Sequence, residues 1–260
     1  MRGHFRAPRI RPNSDEEAET LGLGASIKQV LRPIKARWHR SAAPSWHDTT
    51  AVMKRHGLQP RTVFDIGVAF GTYELYREFP GAFYYLVDPT SDSLRYMRQL
   101  SRHLECEVLN VALSDRDGEM EIEVRADIQG STFFEEIGPR EVLRRETVTV
   151  RRFDTLIGAF ERPALAKIDV QGSELAVLQG MGARIGEFDA IVVETSTLAT
   201  IKGGPEFYDL IAFMKMRGFV AFDVLGYARR PLDGALAQVD LVFVPDESPL
   251  RADRRWAASA

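Results

Sequence analysis

Apolar runs in this chain end repeatedly in acids, and the company each acid keeps suggests its chemistry. Asp65 stands in Val63-Phe64-Asp65-Ile66-Gly67-Val68-Ala69-Phe70-Gly71, where an apolar run breaks into a loop holding Gly67 and Gly71. Small residues there let the backbone approach a ligand, and a helix starting near Gly71-Thr72 offers free N–H groups. The loop lacks the Gly-Lys-Ser/Thr of an NTPase phosphate loop and the third glycine of G-x-G-x-x-G. An acid inside it repels a pyrophosphate and suits a cation, such as the amino group of an amino-acid-bearing nucleoside. Asp88 ends the next run, Tyr84-Tyr85-Leu86-Val87-Asp88. Its distance from Gly67 is about the 20 residues expected of a ribose-binding carboxylate. Taken together, Asp65 and Asp88 favour S-adenosylmethionine over a dinucleotide.

A second constellation is Ala166-Lys167-Ile168-Asp169-Val170-Gln171-Gly172-Ser173-Glu174. It reads as strand, turn and helix, and in a doubly wound sheet it lies beside the glycine-loop strand, so Asp169 faces the cleft at the strands' carboxyl ends. Glu194 ends the following strand and is expected beside Asp169. Lys167 alternates onto the same face as Asp169 and can pair with one of these acids. Glu174 falls in the first turn of a helix, where a carboxylate meets the helix dipole favourably. All five histidines (His4, His39, His47, His56 and His103) precede the second half of the sheet. A carboxylate must therefore serve as any side-chain base. Asp169 is the first candidate, as base or as one ligand of a divalent cation, with Glu194 as neighbour. No ligand motif demands a metal. Phe133, Phe134 and Tyr227 are candidates to pack on an acceptor ring.

These residues need elements to position them. Apolar, β-rich runs occur at 62–66, 83–87, 108–113, 165–170, 190–193, 219–224 and 239–244. Helical patterns separate most of them: a helix-like segment at 48–56, then stripes of Leu94, Met97, Leu100 and Leu104, of Leu175 and Leu178, and of Phe207, Ile211 and Met214. Gly218 follows the last stripe as a left-handed cap. Strands alternating with helices imply a mostly parallel sheet covered on both faces. Residues 119–124 and 147–153 alternate with period two and suggest an added antiparallel piece, connected through Gly130-Ser131-Thr132-Phe133-Phe134. The last two strand candidates, joined by a loop, can pair as an antiparallel hairpin at the sheet edge.

Composition narrows the partners. At 260 residues and 45% hydrophobic, the chain suits one large α/β domain with a packed core. A formal charge of −3 argues against a nucleic-acid binder. The single cysteine, Cys106, rules out an internal disulfide framework and fits a reducing, cytoplasmic setting. No run approaches the roughly 18 apolar residues of a membrane span. Residues 1–45 differ from the rest and read as a basic arm with a docking helix. A peripheral membrane or protein contact through that arm is the alternative. The catalytic domain is expected over 46–250, with a tail at 251–260.

The ordered pieces VFDIGVAFGTY, LVDP, NVALSDRDGEMEI, GSTFF, VTVRRFDTL, AKIDVQGSELAVLQG and IVVET resemble the FkbM-type family of S-adenosylmethionine-dependent methyltransferases. The resemblance runs from about Thr62 to Val244. It implies a Rossmann-like methyltransferase fold: a seven-stranded, mostly parallel sheet with an antiparallel edge strand and a small added β hairpin. It also implies that Asp65, Gly67 and Gly71 line the methionine and ribose side of the cofactor. Asp88 would hold the ribose, and Ser114 and Asp115 would lie near the adenine. Asp169 and Glu174 match the family's K-x-D-x-x-G-x-E pattern. Where family loops often read D-I-G-A-N-x-G, this chain has Val68-Ala69. The implied activity is O-methylation of a hydroxyl on a sugar or secondary metabolite. The alternatives are a dinucleotide-dependent oxidoreductase, for which no Tyr-x-x-x-Lys pair appears, and a methyltransferase-like domain that binds without catalysis.

Overall fold

The expected alternation of strands and helices becomes a three-layer arrangement whose two helical layers are easily told apart by what they bury. The computed structural model describes residues 45–126, 128–138 and 141–257. The expected arm and docking helix fall outside these residues, apart from Ser45. The strands are β1 (Thr62–Ile66), β2 (Phe83–Val87), β3 (Cys106–Leu109), β4 (Ala112–Leu113) and β5 (Gly118–Arg125). They continue with β6 (Val142–Arg151), β7 (Ala164–Ile168), β8 (Ala190–Ser196), β9 (Phe219–Arg229) and β10 (Leu236–Pro245). The α-helices are α1 (Trp46–Arg55), α2 (Tyr73–Glu78), α3 (Ser91–Leu100), α4 (Phe153–Leu156), α5 (Glu174–Gly180) and α6 (Phe207–Met216). No described helix is long and apolar enough to cross a membrane.

Seven strands form one sheet in the order β3-β2-β1-β7-β8-β10-β9. β10 runs antiparallel to both neighbours, and the other pairings are parallel. The antiparallel strand thus sits one place in from the edge, which β9 occupies. Strand order reverses between β1 and β7, the crevice where such sheets bind ligands.

Alternating side chains divide the core. Phe64, Ile66, Ala166, Ile168, Val193 and Phe243 pack on α5 and α6, where Phe153 and Phe188 meet the Phe64 ring edge-on at 5.2 and 5.5 Å. Val63, Tyr84, Leu86, Leu165, Val192 and Val242 pack instead with Met53 of α1, Leu75 of α2 and Met97 of α3. Each fully buried large side chain contributes about 1.5–3 kcal/mol by leaving water, so both faces are needed.

Local signals start and stop the elements. The Ser45 and Thr90 hydroxyls accept the Asp48 and Ser93 N–H groups at the starts of α1 and α3. Glu206 and Asp209 form a reciprocal capping box on α6, and Gly218 beyond its end takes φ +79°.

The expected strand at 108–113 divides in two. Asn110 donates its side-chain amide to the Asp88 carbonyl at 2.9 Å, which anchors the chain there. Past that point β4 leaves the main sheet and pairs with β6. The added hairpin, β5 with β6, therefore becomes a three-stranded sheet in the order β4-β6-β5.

This second sheet fits tightly against α5. A Cβ at Gly180 would stand 1.9 Å from the Ser114 carbonyl oxygen. In an open helix Gly→Ala gains about 1 kcal/mol. Gly180→Ala is expected to reverse that sign and cost about 2 kcal/mol or more, read by urea denaturation. Equal or greater stability would show that the Ser114 backbone gives way freely.

Candidate active site

The turns after β1, β2, β7 and β8 end at one crevice. Two residues beyond the buried row of Leu86, Asp65, Lys167, Val192 and Val242, which the strand registers place side by side, comes a second row on the same face. Its members are Asp88, Gly67, Asp169, Glu194 and Asp240, and all five line a cavity of about 230 Å3. A larger cavity of about 1020 Å3, lined by Pro60, Arg61, Phe83 and Pro163, lies at the opposite ends of the strands. The acidic crevice gathers five of the strand-end residues at the point where strand order reverses.

The glycine loop is built on close approach. Gly67 has φ +84°, and a Cβ on it would fall 1.8 Å from the Asp169 carbonyl oxygen. Asp65 lies behind the loop rather than on the cavity wall. It is fully buried, accepting the Thr72 hydroxyl at 3.0 Å and the Tyr76 hydroxyl at 2.5 Å. Its expected place along the cofactor is corrected to one step removed, because these hydroxyls and Lys167 consume its oxygens. Burial pushes its pKa up, against the pull of Lys167, Tyr76 and Thr72.

Lys167 joins the two constellations. Its ammonium lies 3.7 Å from Asp65 Oδ1, 3.2 Å from Asp169 Oδ2 and 3.2 Å from the Gly67 carbonyl. Burial works against the charge, but Asp169 and Asp65 outweigh it and hold the pKa above the usual lysine range. Asp88 is also tied in: Oδ2 accepts the Ala69 N–H at 3.0 Å, and Oδ1 accepts the Thr90 N–H and hydroxyl at 3.0 and 2.9 Å. It still lines the cavity, and Oδ2 keeps a second lone pair.

Gln171 holds two acids together. Its side-chain amide donates to Asp169 Oδ1 at 2.8 Å and to Glu194 Oε2 at 2.9 Å, and Gln238 donates to the same Glu194 oxygen at 2.9 Å. The amide nitrogen thus occupies the space where a cation shared by Asp169 and Glu194 would sit. Among the described residues, no three His, Cys, Asp or Glu side chains group so as to hold a metal ion. Burial, then the Asp169, Glu174 and Asp240 charges, raise the Glu194 pKa well above the carboxylate range.

Glu174 does not reach the cavity. Its carboxylate turns back to accept the Val170 N–H at 3.1 Å and the Gly172 N–H at 3.0 and 3.1 Å, closing the turn before α5. Ser114 and Asp115 also stand off the cavity wall, hydrogen-bonded to each other at 3.1 Å. The adjacent Val111, Ala112 and Leu113 line it instead. Of the three aromatic candidates Phe133 lines the cavity. Phe134 packs by Gly172. Tyr227 alternates away from Gly226 and stays exposed, with Arg229 over its ring. Sequence reasoning missed Trp46, Glu74, Gln171 and Asp240, all on the cavity wall.

Two predictions follow from strain and from burial. Ala69 takes φ +47°, a conformation that Asn tolerates and Ala does not. Ala69→Asn is expected to gain about 0.5–1 kcal/mol, seen as a higher Tm; no gain would show the loop to be unstrained. Burial raises Glu174 to about 7 and Asp240 to about 6. The folded chain then keeps protons that the unfolded chain has released above its ordinary carboxylate pKa values. Stability from these groups is present at acid pH and is lost as pH rises through about 6 and 7. Urea unfolding is expected to show a lower midpoint at pH 8 than at pH 5, with Glu174→Gln flattening the slope. A flat wild-type profile would contradict this.

The family model of the methyltransferase FkbM domain matches residues 65–221. No curated protein matches the chain. Similar solved structures include the methyltransferase FkbM from Methylobacillus flagellatus KT, 16% identical with a TM-score of 0.47. That alignment covers 76% of this chain and 48% of the other, so this chain spans about half its length. Another is the 1,6-didemethyltoxoflavin-N1-methyltransferase of Burkholderia thailandensis with bound 1,6-didemethyltoxoflavin and S-adenosylhomocysteine. It is 16% identical, with a TM-score of 0.41 and coverage of 93% of this chain and 94% of that one. A third is magnesium protoporphyrin IX methyltransferase from Synechocystis PCC 6803 with bound S-adenosylmethionine, at 12% identity, a TM-score of 0.45 and 77% coverage of each chain. With the family match spanning more than half of its 260 residues, the chain belongs to the methyltransferase FkbM domain family.

Proposed function

We propose that the protein is an S-adenosylmethionine-dependent O-methyltransferase acting on an uncharged hydroxyl acceptor, a sugar or secondary metabolite. The observation that carries this reading is the charge of the cavity. Among the described residues its wall holds Glu74, Asp88, Asp169, Glu194 and Asp240 against one cation, Lys167. Lys167 is already held by Asp65 and Asp169. Such a wall suits a ligand bearing an ammonium and a sulfonium, and it disfavours a pyrophosphate or an anionic acceptor.

Bound there, S-adenosylmethionine supplies an electrophilic methyl group on its sulfonium sulfur. The chain's own residues do the rest. Gly67 and Gly71 allow the loop backbone close approach, and the free lone pair on Asp88 Oδ2 accepts a ribose hydroxyl. Val111, Ile122 and Phe133 give the apolar walls that an adenine needs. Asp169 and Glu194 stand at the acceptor side, across the switch point from the loop. Ala112, Leu113 and Ile122 of the added sheet and Val170 and Gln171 of the turn after β7 line this space, and exclusion of water from it favours an in-line displacement.

The test is a methyl-transfer screen with labelled S-adenosylmethionine. Neutral glycosides and phenols are run beside their phosphorylated and carboxylated counterparts, with calorimetry for S-adenosylmethionine and NAD. Label is expected in neutral acceptors, preferred by at least tenfold over their anionic counterparts. Preference for the anionic forms, cofactor binding without any transfer, or binding of NAD alone would overturn the proposal.

A further inference from the structure

Asp240 lies on β10 directly opposite Glu194 of β8 on one side and Gly226 of β9 on the other. The three acids at this end of the sheet are handled differently. Asp169 gives one oxygen to Lys167 and the other to the Gln171 amide. Glu194 accepts the Gln171 and Gln238 amides. Asp240 lines the same cavity, and among the described residues no hydrogen bond or ion pair reaches it.

Gly226 explains how that carboxylate stays open. A Cβ at this position would meet Asp240 Oδ2 at 2.8 Å. Its backbone is outside the left-handed region that calls for glycine, so the missing side chain matters for space rather than for conformation. The missing side chain thus makes room for the Asp240 carboxylate itself, which reaches the cavity wall.

The charges acting on Asp240 are those of Lys167 and Asp169 from β7, and Glu194 of β8 stands directly opposite it. Burial and the Asp169 charge push Asp240 up to about 6, with Lys167 opposing. Glu194 rises well above the ordinary range, partly through the Asp240 charge. Asp240 and Glu194 thus stand side by side at the cavity wall, Asp240 with its carboxylate open and Glu194 with Oε2 taken by two amides.

We propose that Asp240, rather than Asp169, takes the proton from the acceptor hydroxyl, and that Gly226 leaves the room in which the Asp240 carboxylate sits. This rests on the methyl-transfer reading above. The acceptor oxygen forms the new O–C bond as the C–S bond breaks and leaves its electron pair on sulfur. The hydroxyl proton passes to the Asp240 carboxylate, and S-adenosylhomocysteine and the methyl ether leave.

Two measurements test it on the full chain. Without cofactor, carboxyl 13C NMR is expected to show Asp240 titrating near 6, and Asp240→Asn is expected to lower the Glu194 midpoint. Asp240 titrating in the ordinary carboxylate range, or a Glu194 midpoint unmoved by the substitution, would overturn the assignment. With the most active neutral glycoside of the screen, Asp240→Asn is expected to lower kcat on the order of 10²–10⁴-fold. S-adenosylmethionine affinity should stay within threefold, and the acid limb of the pH profile should vanish. Gly226→Ala, which pushes the Asp240 carboxylate out of place, is expected to lower kcat at least tenfold and supplies the same decision if Asp240→Asn fails to fold. A retained rate or acid limb in Asp240→Asn, or an unchanged kcat in Gly226→Ala, would sink the proposal. Wild-type protein that binds no S-adenosylmethionine would instead point to the methyl-transfer reading itself as the failure.

Discussion

The buried ammonium of Lys167 is the contact on which the crevice depends. It reaches Asp65 under the glycine loop, Asp169 at the end of β7 and the Gly67 carbonyl between them. The pairing of β1 with β7 sets Asp65 and Lys167 side by side, so the attraction acts where the strand order reverses. Removing a buried charge from two carboxylates leaves them uncompensated, a larger loss than the pair is worth against apolar packing. With Lys167 in place, the loop can close on Asp169 at a distance that only a glycine at position 67 permits. The two strand ends are thereby locked together before any ligand arrives.

That lock also distributes the roles of the acids. Asp65 and Glu174 spend their oxygens inside the protein, one on Thr72 and Tyr76, the other on backbone N–H groups. Asp88 is intermediate, since it fixes Ala69 and Thr90 while facing the cavity. Asp169 and Glu194 are steered by one glutamine amide. Similar side chains at similar strand ends thus differ in chemistry through the donors that reach them and through the depth of burial.

Much of this frame was legible in the sequence, because period-two and period-three-to-four patterns report which face is buried. The strands around Asp65, Asp88, Asp169 and Glu194, the cap at Gly218 and the pairing of Lys167 with these acids all follow from such local rules. Placement relative to the cavity did not. Whether Glu174 points into the crevice or back at its own turn depends on side-chain torsions that spacing does not encode. Ser114 and Asp115 missed the wall by one or two residues because Asn110 divides the strand before them. Asp240 and Gly226 were invisible for a different reason: their meeting depends on the antiparallel register of β10, which a bulge shifts beside Asp240. Trp46 precedes every recognisable motif and reaches the cavity only through the docking of α1 on the sheet, where Thr49 donates to Asp223 at 2.6 Å.

The cover over the crevice is coupled to its acids by the same turn that positions them. Gln171 has φ +52° and Gly172 φ +101°, so the chain after Asp169 is held in a left-handed bend that sends the Gln171 amide toward Asp169 and Glu194. The carbonyl of that same Gln171 accepts the Thr132 hydroxyl at 2.6 Å from the segment that follows β5. Beyond Thr132, Glu136 pairs with Ile201, and the Ile137 N–H reaches the Thr200 carbonyl at 2.8 Å. Ile201 in turn packs where a side chain on Gly172 would lie. A displacement of the cover therefore pulls on the residue whose amide steers two carboxylates.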